Sequence, residues 1–172
     1  MYQIEDYTLN GYRPGMIGRL AHLQAHYYGY RFGLDMQFEA NLVTELSDFL
    51  THFKPGRDGL WLLTRGDELF GSVAVDGRQA ESGALIRWVF LAAEARGQGL
   101  AKSMFYSALE FCQEVGYRRI RLYTNADLTA AVLMYRKAGF KLICDHTEVM
   151  GGKPIVLQQY EYLVPQVKSR AA

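Results

Sequence analysis

Residues 84–103 read ALIRWVFLAAEARGQGLAKS, and this stretch decides the fold. Its first part, Ala84–Leu91, is a nearly continuous apolar run, which is typical of a central strand that is covered on both faces of its sheet. A short loop with two glycines, Gly97 and Gly99, follows this run. The helical spacing of apolar residues then predicts a helix over residues 98–115. A strand, a glycine loop and a helix therefore stand in direct succession.

The same patterns extend in both directions along the chain. Alternating or continuous apolar runs predict six further strands, and 3.6-residue periods predict three further helices. The predicted strands cover residues 2–9, 60–64, 69–75, 84–91, 119–124, 140–144 and 155–163. The first predicted helix runs from about residue 14 to 28, and the second from Asp35 to a stop at Lys54-Pro55-Gly56. The third runs from residue 98 to a stop at Gly116, and the fourth from an N-cap at Asp127 to Gly139. The strands on either side of the third helix form a right-handed crossover unit, and the other connections favour antiparallel pairing.

These elements make one domain. We expect a single α/β (α+β) domain over residues 1–165, with helices on both faces of a mixed, mostly antiparallel sheet of about six to seven strands. Residues 166–172 are predicted to be a frayed C-terminal tail. A chain of 172 residues that is 49% hydrophobic is long enough to bury a substantial core without disulfides or metals.

The composition excludes several classes of partner. Nineteen basic and 18 acidic residues leave a net charge of +1, so the overall charge favours neither nucleic acid nor a membrane surface as a partner. The N-terminus lacks the pattern of a secretory signal, and no apolar run approaches the ~18 residues of a membrane span, so we expect a cytoplasmic protein. Cys112 and Cys144 stand in apolar surroundings without metal-ligand spacing, so we expect neither a metal site nor a disulfide.

The glycine loop has the chemistry of a phosphate site. Glycines let backbone N–H groups approach a ligand closely, and a helix N-terminus adds unpaired donors and partial positive charge. A Walker A loop is excluded, because Ala101 and Arg96 occupy two positions where it requires glycine. A dinucleotide-binding fingerprint is excluded as well, because its third glycine is replaced by Lys102 and no βαβ unit precedes the segment.

A third phosphate loop fits. Residues 96–101, Arg-Gly-Gln-Gly-Leu-Ala, match the Arg/Gln-x-x-Gly-x-Gly/Ala loop that holds the pyrophosphate of acyl-CoA in the general N-acetyltransferase (GNAT) superfamily. Residues 133–140, LMYRKAGF, are similar to its Leu-Tyr-x-x-x-Gly-Phe signature. The resemblance covers about residues 60–163 and implies an acyl-CoA-dependent N-acyltransferase. Such an enzyme transfers acetyl directly from acetyl-CoA (coenzyme A) to a primary amine of a small molecule or protein in a ternary complex, without a metal.

The resemblance assigns roles to individual residues. The fourth and fifth strands are expected to splay apart, so that the backbone of the fourth binds the pantetheine arm and the N–H of Leu91 polarises the thioester carbonyl. Tyr135 is expected to donate a proton to the leaving thiolate. The family commonly has Asn seven residues before this Tyr, where the present chain has Leu128; Asn125 or Thr129 takes that role, or Asn125 only stabilises a turn. The cofactor-binding residues implied are Val89, Phe90, Leu91, Arg96, Gly97, Gln98, Gly99, Leu100, Ala101 and Asn125.

The acceptor side is less defined by the sequence. Family members often use a Glu on the fourth or fifth strand as general base, and this chain has no carboxylate there. The candidates for that role are Glu39, His22, His26 and Tyr123. An acceptor site is expected between the first two helices and the last strands, with residues 145–154 as a loop over it. Its wall is either an aromatic binding surface or simply core, and consists of Tyr27, Tyr28, Tyr30, Phe32, Phe38 and Trp88.

Two narrower expectations complete the sequence interpretation. The N-terminal run resembles the acetyltransferase domains that are often fused behind MarR-type regulators; it comprises Tyr12-Arg13-Pro14-Gly15, His22, Tyr28, Gly33-Leu34-Asp35 and Phe38-Glu39. This resemblance, together with the missing base, leaves a catalytically weak acyl-CoA-binding sensor module as the alternative function. A homodimer is expected only by analogy with the family.

Overall fold

A computed structural model of the chain describes residues 2–4, 6–79, 81 and 83–165, so the predicted tail over residues 166–172 lies outside the described part. The chain order is β1 (Tyr2–Ile4), β2 (Tyr7–Asn10), α1 (Met16–Phe32), α2 (Met36–Thr51), β3 (Gly59–Arg65), β4 (Glu68–Asp76), β5 (Ala84–Leu91), α3 (Leu100–Val115), β6 (Arg119–Asn125), α4 (Thr129–Lys137), β7 (Lys141–Met150) and β8 (Lys153–Leu163). A single 3₁₀ turn, Ala93–Ala95, connects β5 to the glycine loop.

All the strands belong to one mixed sheet, in the spatial order β1-β2-β3-β4-β5-β6-β8-β7. Among the described strands the only parallel neighbours are β5 and β6, which α3 connects, and this confirms the predicted fold class. The sheet has eight strands where six to seven were expected. The reason is that the predicted strand 2–9 reverses direction between Ile4 and Tyr7 and forms a hairpin with itself, with Tyr2 opposite Leu9.

The helices cover the sheet on both faces, as predicted, and each face has its own apolar core. On one face α1 and α2 pack against β3 and β4 through Leu20, Leu46 and Phe49, which are almost completely buried. On the other face α3 and α4 contribute Phe105 and Tyr135 to a larger cluster. Because β4 lies between the two cores, every one of its residues after Glu68 is buried.

The backbone of β5, in the centre of the sheet, departs from regular strand geometry. The register between β4 and β5 shifts between Ser72 and Ala74, and Trp88, opposite this shift, has a φ of 50°, which side chains other than glycine rarely adopt. The buried Ser72 hydroxyl donates a hydrogen bond of 2.6 Å to the carbonyl oxygen of Trp88. On its other side β5 pairs with β6 only as far as Ile86. The two strands therefore part, and the second half of β5 is left without a neighbour on that side.

Several predicted element ends are confirmed. The side chain of Asp35 accepts a 3.0 Å hydrogen bond from the N–H of Gln37 at the start of α2. Gly116 ends α3 with a φ of 86°. The prediction that Asp127 caps α4 is wrong: the turn that Asn125 closes by accepting a hydrogen bond from the N–H of Asp127 extends to Leu128, which is the N-cap, and α4 begins at Thr129.

The prediction of a loop over residues 145–154 is also wrong. Strands β7 and β8 continue through this stretch and meet in a two-residue turn at Gly151 and Gly152, both of which have positive φ. Residues 141–149 are exposed on both faces of β7, so the sequence has no buried side and no apolar alternation to reveal the strand.

Candidate active site

Two clefts open beside the unpaired half of β5. The first, which we call the glycine-loop cleft, has a volume of about 780 Å³ and lies between β5, the start of α3, α1 and α4. Its lining comprises Tyr27, Tyr28, Arg31, Val89, Phe90, Leu91, Arg96, Gly97, Gly99, Leu100, Ala101, Lys102, Met104, Tyr106, Leu128, Thr129, Ala130, Ala131, Leu133, Met134 and Lys137.

The glycine loop is held open by its backbone conformation. Gly97 and Gly99 have φ values of 83° and 76°, and a Cβ atom at either position would meet nothing within 4 Å. Arg96 fixes the loop from its start, since its Nε donates a 3.1 Å hydrogen bond to the carbonyl of Leu91 and its guanidinium lies 5.0 Å from the ring of Tyr27. The first turn of α3 therefore presents its N–H groups, which have no acceptor within the helix, to open space.

The charges around this cleft have one sign. Four cationic residues line it, Arg31, Arg96, Lys102 and Lys137, whereas no Asp or Glu occurs among its described lining residues. Leu91, Met104, Leu133 and Met134 supply apolar surface between them. This combination suits a ligand that carries several negative charges at one end and a less polar arm at the other.

The free side of β5 supplies directed backbone donors. In an antiparallel pair, successive N–H groups of a strand point alternately to its two sides. The N–H of Ala92 donates a 2.7 Å hydrogen bond to Phe70 of β4. The N–H of Leu91 therefore points the other way, into the gap that β6 has left.

The second cleft, which we call the aromatic cleft, has a volume of about 590 Å³ and lies between α1, α2, β5, β6 and the tip of the β7–β8 hairpin. Phe38, Trp88 and Tyr123 form much of its wall. This is the region where an acceptor site was expected, and the hairpin tip borders it where a loop was predicted. Of the other predicted wall residues, Tyr28 lines this cleft, whereas Tyr27 lines only the glycine-loop cleft and Tyr30 is 88% exposed.

The two clefts meet at a common wall. Tyr28, Val89, Leu128 and Ala131 line both of them. Tyr135 lines the aromatic cleft but not the glycine-loop cleft, is 4% exposed, and packs against Phe105 with ring centroids 5.1 Å apart.

The two tyrosine hydroxyls at this wall keep their protons. Burial raises the pKa of Tyr28 to about 12, and the neighbouring Tyr27 adds to the rise while Arg96 opposes it. Burial, with a smaller contribution from Tyr28, raises the pKa of Tyr135 well above its usual value. Both hydroxyls are therefore protonated at neutral pH and serve as donors.

Most of the predicted cofactor-binding residues lie together. Val89, Phe90, Leu91, Arg96, Gly97, Gly99, Leu100 and Ala101 all line the glycine-loop cleft, whereas Gln98 does not. Asn125 lines the aromatic cleft, and its side-chain oxygen accepts a 2.9 Å hydrogen bond from the N–H of Asp127, as the turn alternative anticipated. Thr129, the other alternative for its role, does line the glycine-loop cleft.

The candidates for a general base are scattered. Tyr123 lines the aromatic cleft, but His22, His26 and Glu39 are exposed and line neither cleft. His22 and His26 form part of a row of rings on the outer face of α1 instead.

Sequence reasoning missed the two carboxylates that line the aromatic cleft, Glu45 and Glu148. Glu45 accepts a 2.5 Å hydrogen bond from Arg87, and Glu148 lies 3.6 Å from the ring of His146. Glu45 follows the buried Leu42 by three residues on α2, a spacing that places it beside the buried face and carried a usable signal. The sequence carried no such signal for Glu148, because its segment was predicted to be a loop.

Neither cysteine belongs to a cleft. Cys112 is buried in the core, where burial raises the pKa of its thiol to about 12, and Cys144 is exposed on β7. Among the residues that the structure describes, no group of three or more His, Cys, Asp or Glu side chains is placed to hold a metal ion. None of the described helices has the length and apolar character needed to span a membrane.

Comparison with known proteins gives a consistent result. The family model described as "Acetyltransferase (GNAT) family" matches residues 19–140. The mycothiol acetyltransferase of Pseudarthrobacter chlorophenolicus is 42% identical over 52 residues, which is 30% of this chain and 16% of that protein. N-acetyltransferase 8B of Rattus norvegicus is 29% identical over 105 residues, which is 58% of this chain and 47% of that protein. The chain thus spans less than half the length of these two relatives.

Solved structures resemble the chain over nearly its whole length. The acetyltransferase from Streptococcus agalactiae 2603 superposes with a TM-score of 0.75 at 17% identity, covering 94% of this chain and 100% of that one. The protein yncA of Salmonella typhimurium, solved with its cofactor acetyl-CoA, gives a TM-score of 0.74 at 9% identity, covering 98% and 99%. At these identities the similarity establishes the fold.

Proposed function

Since the chain belongs to the acetyltransferase (GNAT) family, we propose that it transfers the acetyl group of acetyl-CoA to a primary amine of a small molecule or protein. One observation carries the proposal. A cationic cleft built on a glycine loop and an aromatic cleft with two carboxylates meet at Tyr28 and Val89, so that two different ligands can touch there.

The residues of the glycine-loop cleft fit acetyl-CoA. The space in front of Gly97 and Gly99 admits a pyrophosphate next to backbone N–H groups, and the four cationic residues that line the cleft attract its negative charge. The free edge of Val89, Phe90 and Leu91 suits the amide groups of the pantetheine arm. Gln98 and Asn125 stay predictions, supported by the sequence pattern alone. When bound, acetyl-CoA supplies the thioester carbonyl that is attacked.

The backbone and one tyrosine assist the transfer. The N–H of Leu91 donates toward the thioester oxygen and stabilises the negative charge that develops there; one such donor is worth on the order of 3 kcal/mol in other enzymes. Tyr135 donates its proton to the departing thiolate, since its phenol is protonated at neutral pH. The remoteness of both cysteines from the clefts supports direct transfer between two bound substrates over a cysteine-linked intermediate.

The aromatic cleft receives the amine. Its carboxylates, Glu45 and Glu148, attract a cationic group, and the aromatic wall packs against the carbon skeleton of the acceptor. The ammonium first gives a proton to bulk water, and the neutral amine then reaches the thioester across the common wall at Val89. Family membership favours this enzyme over the sensor module.

The first test is thermal unfolding of the chain with and without acetyl-CoA, with NAD and ATP as controls. At about 100 times its dissociation constant, a ligand adds about 2.7 kcal/mol of stability, which for a domain of this size raises Tm by roughly 5–10 °C. We expect the rise with acetyl-CoA alone. A folded protein whose Tm does not respond would contradict the cofactor assignment.

The second test separates catalysis from binding. Tyr135→Phe is expected to lower the rate of thiol release in the presence of an amine by about 10²–10⁴-fold while leaving the Kd of acetyl-CoA unchanged. The same change at Tyr28, whose hydroxyl lies at the same wall, is the matched control. Full activity of Tyr135→Phe, or a larger loss in Tyr28→Phe, would remove the proton-donor role from Tyr135. A wild-type chain that binds acetyl-CoA but transfers acetyl to no amine would instead support the alternative function, an acyl-CoA-binding sensor module.

Three finer expectations stay predictions. The resemblance to domains fused to MarR-type regulators and the cytoplasmic location come from the sequence alone. Homodimer formation through the outer edge of the sheet has some structural support, because Leu142, Ile143 and Val149 of β7 are 40%, 53% and 74% exposed. Light scattering at two protein concentrations measures this directly: a mass of one chain, 19.6 kDa, at both concentrations excludes the dimer.

A further inference from the structure

The side chain of Gln24 is an anomaly in the core of α1. Gln24 is 4% exposed and follows Leu20 by one turn on the helix face that packs against the sheet. Its Nε2 atom is buried and has no hydrogen-bond partner among the described residues. A buried donor without an acceptor is costly, so proteins rarely keep one unless it has another use.

Gln24 lines the aromatic cleft. It lies one helical turn before Tyr28, which forms the common wall of the two clefts, so it is close to the place where the amine must react. The other glutamine of this cleft, Gln37, differs from it, because its amide donates a 3.0 Å hydrogen bond to Asn41. Gln24 thus combines a place in the lining of the cleft with a side-chain Nε2 whose N–H groups no described residue accepts.

We infer that the amide of Gln24 binds a carbonyl oxygen of the acceptor, and that the acceptor is a primary amine carrying an amide group, such as an amino-acid amide or a peptide N-terminus. This inference rests on the proposed function. A carbonyl oxygen fits because it is an acceptor with two lone pairs and no proton of its own, and so complements the unpartnered Nε2 donor of Gln24.

The charges of the cleft argue against a free carboxylate as that oxygen. Glu45 and Glu148 carry the negative charge of the cleft, and Arg87 is the cation among its described lining residues. Arg87 is already engaged, since it bonds Glu45 at 2.5 Å and lies 3.4 Å from Asp76. An amino acid with a free carboxylate would therefore meet uncompensated negative charge, whereas its amide would not.

Three amines with the same skeleton test the inference. Phenethylamine lacks the carbonyl, phenylalaninamide carries it uncharged, and phenylalanine carries a carboxylate. With the wild-type chain and acetyl-CoA we expect kcat/KM to be highest for phenylalaninamide, by about 2- to 12-fold over phenethylamine, the range that one hydrogen bond provides. In Gln24→Met, which keeps the shape and removes the donors, we expect this ratio to fall to about 1 with an unchanged Kd for acetyl-CoA.

Stability gives a readout that does not depend on activity. Because Gln24→Met removes a buried donor without a partner, we expect Tm of the free protein to rise by about 2–10 °C. Gln113→Met is the matched control, since Gln113 is exposed on α3 and lines neither cleft, and its Tm should stay near the wild-type value. Gln24→Leu replaces Gln24→Met if the latter does not fold.

The outcomes separate the two claims. A lower Tm in the folded Gln24 variant than in Gln113→Met, or a retained preference for phenylalaninamide in that Gln24 variant, overturns the inference. So does a wild-type chain that binds acetyl-CoA and acetylates none of the three amines, or prefers phenylalanine. Failure to bind acetyl-CoA at all would instead contradict the proposed function.

Discussion

Replacing Gly99 by Asp tests the glycine loop at its most exposed point. Gly99 is the N-cap of α3, has a φ of 76°, and has nothing within 4 Å of the position of a Cβ atom. An Asp side chain therefore fits without a clash and carries its negative charge into the space proposed for the pyrophosphate. The chain offers a close match for a control in Gly15, the N-cap of α1, which has a φ of 82° and equally open surroundings but lines neither cleft.

The expected losses of stability and of acetyl-CoA affinity follow from backbone strain and from charge repulsion, respectively. A side chain in the left-handed region costs about 1 kcal/mol, so both variants should lose about 2–4 °C in Tm. Two unit charges about 4 Å apart repel by about 4 kcal/mol at an effective dielectric constant of about 20, and salt screening reduces this to about half. Gly99→Asp should therefore bind acetyl-CoA about 30- to 900-fold more weakly, whereas Gly15→Asp should bind it as the wild type does.

Isothermal titration of acetyl-CoA into both variants, at two salt concentrations, measures the difference. The loss of affinity should be smaller at the higher salt concentration, because part of it is charge repulsion. If folded Gly99→Asp bound acetyl-CoA with the same Kd as Gly15→Asp, the phosphates would not lie on this loop.

Other predictions concern stability. Ser72→Ala leaves the carbonyl of Trp88 without its donor, and should lower Tm by about 2–10 °C and weaken acetyl-CoA binding; an unchanged Tm would show that the register shift between β4 and β5 does not depend on this hydrogen bond. Asp58→Ala removes a carboxylate whose side chain is fully buried and bonded to an arginine, and should cost about 3–5 kcal/mol in a urea titration; a loss below 1 kcal/mol would contradict this. Because the raised pKa values of Tyr28 and Tyr135 let the unfolded chain ionise first, at about pH 10, stability should fall as pH rises from 10 to 12. Urea midpoints should fall less steeply with pH in Tyr135→Phe than in the wild type over this range. An equally steep fall in both would refute the raised pKa of Tyr135.

The fold was predictable wherever turns, capping residues or glycines mark the ends of an element in the sequence. The strand Ala84–Leu91 was predicted with its observed ends, since it is apolar throughout and turns flank it. Gly116 and Asp35 mark helix ends through backbone freedom and a capping oxygen, which act over only a few residues. The two strands of the β7–β8 hairpin were predicted too short, with a loop over residues 145–154, because the exposed stretch before Gly151 buries neither of its faces.

The candidate site was predictable in part. The glycine loop is contiguous in sequence, and its residues gather at one cleft apart from Gln98. Glu45, Glu148 and Gln24 come from three separate elements, and only the packing of the hairpin tip against the helices brings them to one cleft. Residue type made His22 one of four candidates for the base, but it is exposed on α1 and lines neither cleft.

The parting of β5 from β6 after Ile86 gives the sheet a third edge in addition to its outer edges at β1 and β7. A strand edge is a template onto which any extended chain can add, and proteins usually cover or interrupt theirs to avoid association with unrelated chains. Here Tyr27 and Tyr28 of α1 and Ala131 of α4 flank the internal edge. The protein thus carries an edge for recognition in its interior, where a slender extended molecule can align with it and another protein's sheet cannot.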